Sequence, residues 1–356
     1  MFGNKQNQEA GNNSTQIQAK ELTINYGITE ERAREIYNEQ NLIAHKEYTK
    51  EAFRIADMRA RKLEEKIMAI IQQDKTILPA FADPEFQIFL RKSLLAATTT
   101  EREADYDLLT ELLVRKVQNG EDRIKRAVIN RAVEIVGGID NDALCGLTVM
   151  YALLFFFPPT DDYIEGIEIQ NKLFEKLIYQ KLPLERNWIE HLEIFGAVRI
   201  DSFQPTSKFD EFISYKYDGY ICTGIKENSK EYNIALQLLQ ESQLPSSILK
   251  KHEYLEGYYR LVTQNGEVNS IIQLYQLNNQ QIKALKQIRK MYSEESSLKQ
   301  KVKDHYMRIW NSNKILEYLN FWWNSFPIEF EITNVGMIIA QANAKRCDPS
   351  FPEISM

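Results

Sequence analysis

Apolar residues recur at every third or fourth position through most of this chain, and that spacing predicts helices far more often than strands. No Gly or Pro interrupts Ile28 to Leu78. The stretch predicts one very long helix, or two joined end to end, capped by Thr29 with Glu30 and Glu31 at the positive end of the dipole. Ala52, Ala56, Ala60, Leu63, Ile67 and Ile70 fall on one face of it, while Arg54, Asp57, Arg61, Glu64 and Glu65 fill the other. Such a helix packs against other helices or against a second copy, with Leu63 and Ile67 at the seam of a self-association contact. Asp83-Pro84-Glu85 then reads as cap, first-position proline and first-turn acid. Helices are predicted at 84–98, 102–118, 121–136, 140–157 and 161–181, separated by Thr98–Thr100, Asn119-Gly120 and Gly137-Gly138.

The most apolar segment, Ala143 to Phe157, is followed by Pro158-Pro159. Fifteen helical residues span about 22 Å, short of the roughly 30 Å hydrocarbon core of a bilayer. Acids rather than Lys or Arg flank both ends, so a central buried helix is predicted and membrane association is not. A membrane-acting element is the alternative for 143–157.

Beyond Pro183 the texture changes. Trp188 to Phe195 is helical, Gly196 ends it, and Ala197 to Ile200 alternates as a strand. Tyr215 to Ile225 reads as a strand or hairpin. Gly257–Thr263 and Val268–Tyr275 flank Asn265-Gly266, a hairpin signal. Helices return at 228–242, 279–292, 294–311 and 313–324, then a strand at 330–333 and a helix from Asn334 to Lys345. The fold class is therefore mainly α (α+β). A helical domain at 29–182 is followed by a smaller α+β domain at 183–346 with a short antiparallel sheet. A polar leader occupies 1–28 and a loose tail 347–356.

That leader is rich in Asn and Gln and nearly free of large apolar residues until Ile17. From there it alternates apolar and polar positions. It cannot bury a core alone, but stacked copies can form amide ladders with Ile17, Leu22 and Ile24 on their faces.

A length of 356 residues exceeds the usual single-core limit, which sets two domains as the expectation. The net charge of −6 argues against nucleic-acid binding by the surface as a whole. Lys283 to Lys314 departs from that balance, with nine basic residues against three acidic ones, and Tyr292, Tyr306 and Trp310 interleaved. Basic helices carrying aromatics grip phosphates, and Lys286, Arg289, Lys290, Lys301, Lys303 and Arg308 are the residues placed to do so. A solvated face complementing the acidic N-terminal half is the plainer reading. Cys145, Cys222 and Cys347 form no CxxC and no even framework, which favours a reducing cytoplasm, and the polar N-terminus is neither a signal nor a transit peptide.

Little else suggests chemistry. His45, His191, His252 and His305 have no second ligand at metal spacing, and Asp140-Asn141-Asp142 is better explained as a helix cap than as a metal-binding DxD. Cys222 becomes a nucleophile only with a histidine folded over it. Phosphate-cradling and acyl-transfer motifs are absent from the sequence, so no catalytic, cofactor or metal residue is assigned.

Two segments resemble known patterns. Trp188 to Ile200, with its FGAV, is similar to the recognition-helix exit of winged-helix domains. Phe330 to Ala340 resembles their strand followed by LTxxGxxI. In those domains the two strands pair directly, whereas about 130 residues separate them in this chain. The GNNSTQIQAK start, the helical middle and the ITNVGMIIAQANAKR end together resemble a family of uncharacterised bacterial proteins. The resemblance implies a bacterial cytosolic protein and assigns no catalytic residues. The leader is also similar in composition to prion-like signalling segments on immune-type effectors, which implies a defence or stress-signalling context. The function expected is a non-enzymatic assembly or interaction protein, a homo-oligomer or partner of another protein. Nucleic-acid binding through Lys283–Lys314 and membrane action through 143–157 are the alternatives.

Overall fold

Most helices begin where an oxygen-bearing side chain caps the first free amides. The structure, a computed structural model, describes residues 28–354 except 45, 47, 48, 119–121, 202–206, 266, 267, 269, 270, 272–275 and 326–328. The Gly-free stretch forms two helices, α1 (Glu30–Ala44) and α2 (Lys50–Gln73), the second capped by Thr49, and ends in a 3-10 run, Lys75–Ala82, that contains Pro79. The Asp83 carboxylate accepts the Phe86 amide at 2.8 Å and starts α3 (Pro84–Thr99). Then come α4 (Glu103–Gln118), α5 (Arg123–Val136) capped by Asp122, α6 (Asn141–Phe155) capped by Asp140, and α7 (Tyr163–Leu177) capped by Asp162.

The second half runs α8 (Asn187–Ile194), β1 (Val198–Asp201), α9 (Phe209–Lys216), β2 (Ile225–Lys226) and α10 (Lys230–Glu241). It continues through β3 (Leu249–Lys251), β4 (Tyr258–Leu261), α11 (Asn279–Arg289), α12 (Ser296–Asn311) and α13 (Lys314–Asn324). It closes with β5 (Glu329–Ile332) and α14 (Asn334–Cys347). The fold is mainly α, as the spacing predicts, and the described residues form two small antiparallel sheets where one was expected.

Every residue from Ala143 to Leu153 on α6 is buried, which is why that helix is apolar on all sides. No helix among the described residues is long and apolar enough to cross a membrane. α14 packs on α4, α5 and α6. Its polar side chains find partners there: Tyr151 donates to Gln341 at 2.7 Å, and Asn343 donates to Thr148 Oγ1 at 2.8 Å.

β1 pairs with β5 in antiparallel register, Val198 opposite Ile332 and Asp201 opposite Glu329, across the whole intervening chain. Thr333 caps α14 and donates to the Gly196 carbonyl at 2.7 Å. Gly336 lies so close to this turn that a Cβ there would meet the Ala197 carbonyl oxygen at 2.0 Å. The second sheet has the order β2-β4-β3, with Ile225 opposite Tyr259 and Leu249 opposite Leu261.

Several expectations change. The hairpin expected around Asn265-Gly266 falls largely outside the described residues, which leave out Gly266, Glu267 and most of 268–275; among the described residues the partners of β4 are β2 and β3. Tyr215 and Lys216 belong to a helix, because Phe209, Ile213 and Lys216 recur at helical spacing and form the buried face of α9. The boundary expected at 182/183 is not a gap in the core. One large cluster runs from Ala33 through Leu182 and Trp188 to Phe351, while a smaller one gathers residues between Cys222 and Tyr292. The tail is not loose where it is described. Phe351 is buried against Tyr151 and Phe156, and Arg115 grips Glu353 through two nitrogens at 2.5 and 3.1 Å.

Arg260 of β4 has a fully buried side chain that ties the small sheet to the rest. Its Nε donates to Glu253 at 2.8 Å, and Nη2 donates to Glu253 and to the Asp161 carbonyl. Nη1 reaches the carbonyls of Leu261 at 3.0 Å and of Gly219 and Thr263 at 3.3 Å. Lys250 adds a second cation 3.0 Å from Glu253. Burial alone would raise the Glu253 carboxyl, but Arg260, joined by Lys250 and a backbone hydrogen bond, holds that group below the usual range. Arg260→Met removes the fork and leaves these acceptors buried. We expect it to lower unfolding free energy by about 3–5 kcal/mol in chemical denaturation, the range for breaking a buried pair.

Candidate phosphate-binding cleft

Lys283, Lys286 and Lys290 recur at three and four residues along α11 and its C-cap, which places them on one face, opposite the buried Ala284, Leu285 and Ile288. All three are exposed, and no described carboxylate lies within ion-pair distance of them. Arg289 points one step round the helix. Its Nη2 donates to the Asp218 carbonyl at 2.7 Å and carboxylate at 3.1 Å, and the guanidinium sits 4.4 Å from the centre of the Tyr292 ring.

Arg289 and Lys290 form one wall of a cleft of about 650 Å³. The facing walls come from Ser214, Asp218 and Thr223 on one side and from Ser296, Lys299 and Lys303 of α12 on the other. The cations are partly balanced. Lys299 pairs with Glu294, and Lys303 lies 2.6 Å from Asp210, whose carboxyl that hydrogen bond holds below its usual range. α12 opens at Glu295 with no side-chain cap, and Ser296 of its first turn lines the cleft, so the positive end of the helix adds to the field.

Of the six predicted phosphate contacts, the structure brings Arg289, Lys290 and Lys303 to the cleft and leaves Lys286 on the stripe leading to it. Lys301 and Arg308 lie on the outer face of α12, away from the buried Val302, Tyr306 and Trp310. Ser214, Asp218 and Thr223 were not anticipated. They come from some seventy residues earlier, and nothing in their local sequence marks them. Of the predicted self-association residues, Ile17, Leu22 and Ile24 lie outside the described residues. Leu63 and Ile67 are buried in the chain's own core, because the apolar face of α2 packs on α3 and α4.

The other candidates resolve as structural groups. Asp140 accepts the amides of Asp142 and Ala143 at 2.8 and 3.3 Å, and His191 Nε2 accepts the Asp140 amide at 2.9 Å. His45 lies outside the described residues, and His305 stacks on Tyr254 with ring centres 3.9 Å apart. Among the described residues, no group of three His, Cys, Asp or Glu side chains is placed to hold a metal ion. A histidine does fold over Cys222, but it reaches the backbone. His252 Nε2 bonds the Cys222 carbonyl at 2.7 Å, and the thiol donates to the Gly219 carbonyl at 3.1 Å. Burial pushes that thiol up, so it is not activated.

Sequence reading also missed Lys216, whose buried ammonium donates to the Leu153 carbonyl and lies 4.8 Å from the Phe157 ring centre. Burial drives it well below the ordinary lysine value.

Among known proteins, the model of a family of uncharacterised proteins matches residues 27–355. The chain belongs to that family. The match takes in the ITNVGMIIAQANAKR end and begins after the GNNSTQIQAK segment. No curated protein and no solved structure matches.

His252 Nδ1 accepts two amides, from Tyr254 at 3.0 Å and Leu255 at 3.2 Å, so protonation would break both bonds. Burial, the main cause, lowers its pKa below the ordinary value. Between about pH 6.5 and that lowered value, the unfolded chain binds the extra proton. We expect unfolding free energy to fall as pH drops through this window in urea titrations, and His252→Gln to remove this part of the slope.

Proposed function

We propose that this protein binds the phosphate backbone of a nucleic acid, without catalysis, along the α11 stripe and into the cleft beside it. The observation that supports this reading is the run of three exposed lysines, Lys283, Lys286 and Lys290, with no carboxylate partner among the described residues, leading to a cavity walled by Arg289, Lys299 and Lys303. The chain carries −6 overall, so attraction is confined to this face and is short-ranged at physiological salt. Such a contact releases counterions, and its affinity falls steeply as salt rises. For single-stranded RNA, replacing both Lys286 and Lys290 by Ala should reduce the slope of log affinity against log salt by about 0.7 per lysine. A double variant with an unchanged slope, or no retention of RNA or DNA at low salt, would remove the proposal.

A second reading is self-assembly through the leader, in the signalling context its resemblance implies. It is favoured by large apolar side chains exposed on the first two helices after that leader: Leu42 is 66% exposed and Met58 58%. Mass measurement in solution should give a larger assembly for the full chain than for one lacking residues 1–25, and equal masses would exclude it.

A further inference from the structure

α7 presents Ile169, Lys172, Leu173 and Lys176 on one face, at helical spacing, to a cavity of about 390 Å³. Phe156 and Phe157, at the end of α6, and Phe351, in the C-terminal strap, complete its apolar walls. This volume lies in the range of small-ligand sites, and such sites combine apolar walls with a few charged groups that fix orientation. The charged groups lining it are Lys172, Lys176 and the Asp348 carboxylate. Lys176 is paired, its Nζ 2.9 Å from Asp348, and Ser350 donates to the other oxygen of the same carboxylate at 2.7 Å. Lys172 is exposed and has no described acceptor within hydrogen-bond reach. An apolar cavity with one unengaged ammonium at its mouth complements a molecule that is apolar at one end and anionic at the other. A neutral apolar ligand would leave that ammonium unused, and a polar anion would leave the phenylalanine walls uncovered.

We propose that this cavity binds a small amphipathic carboxylate, its apolar chain against Phe156, Phe157 and Phe351 and its head group on Lys172. The site is separate from the basic cleft and independent of nucleic-acid binding. Isothermal titration of the full chain with decanoate and with decanol tests it. Decanoate should bind one per chain and about tenfold more tightly than decanol, the ratio for one charge-assisted hydrogen bond. Lys172→Met should erase that difference without moving the unfolding temperature, because Lys172 is exposed. Ile169→Trp, which fills the cavity from a half-buried position, should abolish binding of both. No heat with millimolar decanoate, equal affinity for the two probes, or decanoate binding unaltered by Lys172→Met would overturn the proposal. The lysine variant decides the matter even where the tryptophan variant fails to fold.

Discussion

The buried guanidinium of Arg260 is the constraint on which the second half of the molecule depends. A lone ion in a protein interior is strongly unfavourable, and only a partner set that satisfies its charge and its donors makes such burial tolerable. Arg260 meets both conditions, with a carboxylate from Glu253 and carbonyls from four separate positions, beneath the Tyr220 ring 5.6 Å away. A lysine could not span these directions, since its three donors radiate from one atom. Because Asp161 belongs to the α6–α7 connection and Gly219 to the turn after α9, the same side chain fixes β4 against both. The basic cleft borrows its wall from that turn, so its shape follows from a charge that never meets solvent.

The two cores divide their labour accordingly. The larger consists of helices packed around α6 and α14, and its buried polar contacts, Tyr151 with Gln341 and Thr148 with Asn343, set how those two helices face each other. The smaller rests on β2-β4-β3, α10 and α11, and presents the lysine stripe on its outer side. Apolar packing positions the stripe, while Arg260 and its carbonyl partners join that unit to the helical layer.

Local signals carried most of the secondary structure. Asp83, Asp122, Asp140 and Asp162 announce their helices because a cap is a contact between residues two or three apart. The uniform apolarity of Ala143–Leu153 likewise announces burial on all sides. What the chain conceals is pairing at long range. Among the described residues β4 draws its neighbours from β2 and β3, because strand choice is decided by which faces the cores bury. The strand character of Tyr215 was misread because aromatic residues suit both periods, and only the tertiary burial of Phe209 and Ile213 selects the helix. For the cleft, the cations were legible as a cluster in sequence. Their sorting into Arg289, Lys290 and Lys303 on one side and Lys301 and Arg308 on the other required the rotation of each helix about its axis. Asp218 and Thr223 are brought to the site by the fold alone.

The pairing of β1 with β5, and the seat of α14 among α4, α5 and α6, also bear on how the molecule comes into being. A chain emerging from the ribosome exposes β1 and three helices long before their complements have been synthesised, and until residue 347 is free the central groove stays open. Translation halted anywhere upstream leaves that apolar groove unfilled, an invitation to chaperones and proteases.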